Sequence, residues 1–131
     1  MNKLNHLLAA ATLSALLTPL AHADTYPTSV VGAWAVTGNQ TAGTLNVASQ
    51  ATAGKCRAIT GTLYDDPIQG FYCPASGRVE FARKLSNGAT FQVWSGQLSD
   101  RGPVLRMGGT FSSLDVFYGG NLGYYNFQAQ K

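Results

Sequence analysis

Apolar and polar residues alternate along much of this chain in short bursts. In "RVEFARKL", Val79 and Phe81 lie on one face, opposite Arg78, Glu80 and Lys84. In "PVLRMGGTFSS", Leu105, Met107 and Phe111 oppose Arg106 and Thr110. In "LGYYNFQAQ", Tyr125 and Phe127 oppose Tyr124, Asn126 and Gln128. A period of two marks a strand with one face buried. Gly32, Trp34 and Val36 share a face in "VVGAWAV", as do Ile59, Gly61 and Leu63 in "KCRAITGTLY". "TLNVAS" and "IQGFYC" complete the set of apolar runs, and "ATFQVWSGQL" stands apart. There Phe91 and Val93 point one way while Gln92 and Trp94 point the other, so either face is a candidate for the core.

Eight runs joined by short turns predict an all-β fold, an eight-stranded antiparallel up-and-down β-barrel. A meander of this count can close on itself and remove its exposed edges. The strand glycines Gly61, Gly70, Gly96, Gly108 and Gly109 suit the sharp local bends of a small barrel. A β-sandwich is the alternative, but Greek-key crossings need longer connections than these. Asp65-Asp66-Pro67 reads as a turn, because aspartate bonds local backbone and proline fixes φ. "LDVFYGGN" reads as a longer aromatic loop before the last strand.

The N-terminus changes the composition that matters. "MNKLNHLLAAATLSALLTPLAHA" has an early lysine, an apolar run too short to span a bilayer, and a small-x-small close at Ala21-His22-Ala23. That is the pattern of a secretory signal peptide over residues 1–23. Residues 24–131 then form one domain, periplasmic or secreted, with no membrane span left. Both histidines leave with the signal. A histidine base, a Ser-His-Asp triad and an imidazole metal site are therefore excluded from the mature chain. Removing Lys3 leaves eight basic residues against six acidic ones, too mild a balance for nucleic acid or an anionic membrane. Cys56 and Cys73, seventeen positions apart, read as a disulfide in an exported chain.

Three motifs carry a resemblance. "GAWAVTGNQTAGTLNV" sets a Gly-x-Trp on the first strand and a Gly-x-Leu-x-Val on the second. "ITGTLYDDPIQGFY" and "ATFQVWSGQL" resemble the middle and late strands of the avidin and streptavidin family. Gly-x-Trp near the start is also similar to lipocalins and to small bacterial metalloprotease inhibitors. All are calycins, barrels of this strand plan. The resemblance implies that Trp94 lines a pocket with Gly96 on its face, and that Trp34 plugs one barrel end. It also implies that this chain does not hold biotin tightly. The family's pocket tyrosine falls at Leu63, its late acidic residue falls near Tyr125, and "RVEFARKL" has no second pocket tryptophan.

These readings converge on a binding protein rather than an enzyme. The candidate ligand-binding positions inside the barrel are Trp94, Leu63, Phe81, Met107, Tyr125 and Phe127, with no catalytic residue, metal or cofactor expected. The ligand is expected to be small and apolar or aromatic. Arg78, Arg83 and Lys84 read as a solvated strand face. A second class of function is a calycin-type protease inhibitor that uses "DTYPTS", Asp24 to Ser29, as its arm. An outer-membrane barrel is a third, opposed by the charges in "KCRAIT" and "RVEFARKL".

Overall fold

In the computed structural model, which describes residues 26–99 and 103–131, all eight apolar runs are strands. They are β1 (Gly32–Gly38), β2 (Thr41–Gln50), β3 (Arg57–Leu63), β4 (Asp66–Cys73), β5 (Arg78–Lys84), β6 (Thr90–Ser99), β7 (Arg106–Leu114) and β8 (Asn121–Gln130). Each pairs antiparallel with the next, and β8 closes on β1 to form a barrel. The proposed signal segment, and Asp24 and Thr25 of the arm, lie outside the described residues.

Two turns are tighter than the sequence suggests. The first hairpin turns on Asn39 and Gln40 alone, with φ of 45° and 69°, and β2 begins at Thr41. The second turns on Tyr64 and Asp65, with φ of 49° and 68°. Asp66 and Pro67, expected in that turn, instead open β4. Two-residue loops with positive φ match the right-handed twist of the strands they join. Here that match prevails over the local preference of Asp-Asp-Pro. Tyr64 is tied in place by its hydroxyl, which donates to the Thr41 carbonyl at 2.9 Å.

Alternation assigns the core, and it resolves strand β6. Trp94 and Leu98 are buried while Val93 is exposed. Trp94 stacks on Phe111 with ring centres 4.0 Å apart and on Phe81 at 5.7 Å. Phe127 meets it edge-on at 4.9 Å. These four rings fill the barrel axis. Gly96 makes room for them, since a Cβ there would lie 2.8 Å from the Phe127 ring. Outward positions such as Thr44, Asn46, Ser95, Gln97, Asn126 and Gln128 are exposed and polar, the reverse of a lipid-facing wall.

One end of the barrel is sealed by the segment before β1. The Tyr72 hydroxyl donates to the Pro27 carbonyl at 2.6 Å. Arg57 and Gln50 both donate to the Thr28 carbonyl, at 2.8 and 2.9 Å. Val30 is fully buried, and its carbonyl accepts from the Trp34 indole at 2.9 Å. Lys131 completes the base, 5.0 Å above the Trp34 ring, with its ammonium donating to the Val31 carbonyl. Burial lowers the Lys131 pKa below its ordinary value. Cys56 and Cys73 are joined at the same end, one register step beyond the Arg57–Tyr72 pair.

Two outcomes follow for stability. Replacing both cysteines with alanine should cost about 3 kcal/mol through the freed loop, read from urea unfolding with and without reductant. Tyr72→Phe should cost about 1 kcal/mol at neutral pH. Burial, then the neighbouring Tyr26, raise the Tyr72 pKa, with Arg57 opposing. The unfolded chain therefore ionises this tyrosine first, and its contribution is lost as pH climbs past about 10. The gap between wild type and Tyr72→Phe should narrow there, and a gap that stays constant would contradict this account.

Candidate functional site

The end opposite the base is open. It carries the Asn39–Gln40 and Tyr64–Asp65 turns and the loops that follow β5 and β7. A recess of about 390 Å³ opens between them, lined by Gly38, Asn39, Thr41, Tyr64, Arg83, Gln92, Trp94, Phe111, Ser113 and Tyr125. Its floor is the top of the aromatic stack. Gly38 brings β1 close to that floor, because a Cβ there would sit 2.9 Å from the Trp94 ring and 3.1 Å from Phe111. Tyr125 leans on Phe111 at 5.2 Å and continues the apolar wall.

Above the floor runs a hydrogen-bonded polar arc across four neighbouring strands. Arg83 bonds Asp66 at 2.5 Å and Gln92 at 3.1 Å. Gln92 in turn donates to the Ser113 hydroxyl at 3.3 Å and accepts from the Trp94 indole at 3.2 Å. Register builds this arc. Arg83 pairs directly with Gln92, and Gln92 with Ser113. Asp66 lies two residues from Ile68, the β4 partner of Arg83, a diagonal that long side chains can bridge.

Arg83 is held on both sides. Its guanidinium lies 4.9 Å from the Tyr64 ring centre and 4.8 Å from that of Phe91. Its side chain is 15% exposed, against 37% for Asp66. Its Nε is buried and has no hydrogen-bond partner among the described residues. The guanidinium and the carboxylate cancel within the layer, so the arc presents hydrogen-bonding groups without net charge, while Asp65 stands exposed on the adjoining turn. Among the described residues no cluster of metal donors occurs.

The candidates named from sequence fall at two depths. Trp94 and Tyr125 line the recess. Leu63, Phe81, Met107 and Phe127 are buried in the core, and Trp34 lies at the sealed base. Asp66, Arg83, Gln92 and Ser113 were not singled out as site residues. Arg83 corrects the reading of a solvated face, because it shares parity with Val79 and Phe81 and so points inward at the top of β5. The same parity places Gln92 with Trp94, Ser113 with Phe111, and Asp66 with Ile68. That parity was the available signal.

Asp66→Ala should cost about 1–3 kcal/mol, since it strands a mostly buried guanidinium beside a partly solvated partner site. Arg83→Met removes the buried charge, leaves the carboxylate to water, and should cost less. Urea unfolding of both variants tests this, and equal costs would count against burial as the deciding factor.

Compared with known proteins, the chain matches no family model, no curated sequence and no solved structure.

Proposed function

We propose that this chain is an exported, calycin-type binding protein whose open end takes up one small, uncharged molecule bearing an apolar or aromatic ring. The observation that carries this reading is the recess itself, an apolar floor roofed on one side by a charge-balanced polar arc. Its volume of about 390 Å³ falls within the roughly 300–1,000 Å³ of small-ligand pockets. The ligand sits at the mouth and not on the axis, because Phe81 and Phe111 already cover both faces of Trp94. Apolar burial against Phe111 and Tyr125 would supply affinity. Hydrogen bonds to Gln92, Ser113 and Asn39 would supply orientation. No chemical step is involved. The Cys56–Cys73 disulfide fits an oxidising compartment outside the cytoplasm.

On this reading the strand plan is avidin-like without the family's ligand. A filled axis leaves no deep site for biotin's ureido head, which needs buried polar partners. In the inhibitor reading, the arm would first have to break the bonds that Tyr72, Gln50 and Arg57 make to Pro27 and Thr28.

Titration of tryptophan emission with a panel of small neutral aromatics tests the proposal. In a Trp34→Phe background, Trp94 alone reports, and a saturable change is expected for some members. Ser113→Phe, which fills the recess, should abolish that change while the variant keeps the parent's circular dichroism and a single cooperative urea transition. A panel that gives no saturable response, or a response that survives Ser113→Phe, would overturn it.

A further inference from the structure

The barrel closes unevenly. β8 is ten residues long, but it pairs with β1 only from Phe127 to Gln130. One more bond, from the Asn39 amide to the Asn126 carbonyl at 3.2 Å, ends the seam. Above it, Gly123 to Tyr125 have a partner on β7 and none on the other side among the described residues. Backbone groups alternate sides along an antiparallel strand. Tyr124 therefore directs its N–H and C=O the same way as Asn126, off the open edge.

This edge lacks two of the usual guards, lysine and proline. Between Arg106 and Lys131 the sole charged residue is Asp115, and there is no proline. A bulge opposite Ser113 and Leu114 marks the outer limit of the free run. The same hairpin carries most of the exposed large apolar side chains among the described residues. Phe117, Tyr118 and Tyr124 are 78–94% exposed, and Leu122 stands beside them. The loop that presents them is tied locally, because the Asp115 carboxylate accepts the amides of Phe117 and Tyr118 at 2.9 Å each.

We propose that the β7–β8 hairpin is the interface of a homodimer, in which two β8 edges pair antiparallel about a two-fold axis at Tyr124. Opposed Tyr124 residues then exchange both backbone hydrogen bonds, and their rings meet across the junction. An uncharged, open edge is complementary to itself, as a two-fold contact requires. Phosphate backbones and anionic lipid find no cation here to grip. Three aromatic rings at this exposure offer about 400–600 Å² per copy. Leu122 and the flanking backbone bring that toward the ~800 Å² per partner of a stable interface.

Sedimentation of the purified protein from about 1 μM to about 1 mM should show a concentration-dependent dimer. Tyr124→Lys sets two like charges directly opposite each other and should weaken the dimer at least about tenfold. Its circular dichroism should not change, nor its thermal midpoint at a dilution where both proteins are monomeric, because the side chain lies outside the core. Tyr124→Cys should oxidise to a covalent dimer, whereas a cysteine at the exposed Ser95 of β6 should not. A protein that stays monomeric throughout the range, or a dimer that Tyr124→Lys leaves intact, would overturn the proposal. So would failure of Tyr124→Cys to cross-link.

Discussion

The tryptophan on β6 is clasped between two phenylalanines, and that stack decides what the barrel can hold. An eight-stranded barrel encloses little more than its own side chains. Trp94, Phe81, Phe111 and Phe127 use that space, with Trp94 and Phe111 nearly parallel at 8°. Aromatic pairing of this kind adds about 0.5–1.5 kcal/mol per pair beyond area burial. The consequence for function is geometric. With the axis filled, any ligand is confined to the layer above the stack, where side chains change from apolar to polar.

That change of layer follows from the alternation that builds the core. Along β5 the inward series runs Val79, Phe81, Arg83. Along β6 it runs Leu98, Gly96, Trp94, Gln92, and along β7 Met107, Gly109, Phe111, Ser113. Each series begins apolar at the base and ends polar at the mouth. Most groups of the layer satisfy one another: Arg83 has a carboxylate and an amide oxygen and leaves only its Nε without a partner among the described residues, and Gln92 serves both Arg83 and Trp94. A buried cation without such partners would cost several kcal/mol. Its pairing also leaves the arc without net charge, which is why the proposed ligand is neutral too.

The strand count, the closed architecture, the disulfide and the inward face of most strands were legible in the sequence, because period-two alternation and turn residues are local signals. The turn at Tyr64 and Asp65 was not, because its geometry is set by the twist of β3 and β4 rather than by the Asp-Asp-Pro composition. The polar arc was hidden for a different reason. Arg83 looks like a surface residue by type, and it is inward only by its parity with Phe81. Its partner Asp66 lies seventeen positions away, reachable only once the β4–β5 register is known. The plugging role of Tyr26 to Val30 was equally invisible, since the segment has no strand pattern and acts through backbone carbonyls.

The two ends of the barrel show how one closure problem is met in two ways. At the base, the chain before β1 folds across the opening, and Tyr72, Arg57, Gln50 and Trp34 bond its carbonyls. Backbone groups that would otherwise be buried without partners are satisfied there. At the mouth none of the described residues crosses, and β1 ends at Gly38 while β8 continues upward. Strands of a barrel are staggered, so unequal lengths at the seam leave an edge at one end. The stagger that gives β7 and β8 room to wall the recess with Ser113 and Tyr125 is the same one that exposes Tyr124. A longer β1 would cover that edge, but it would also crowd the floor that Gly38 leaves open. The open edge and the open recess are thus linked outcomes of where the first strand stops.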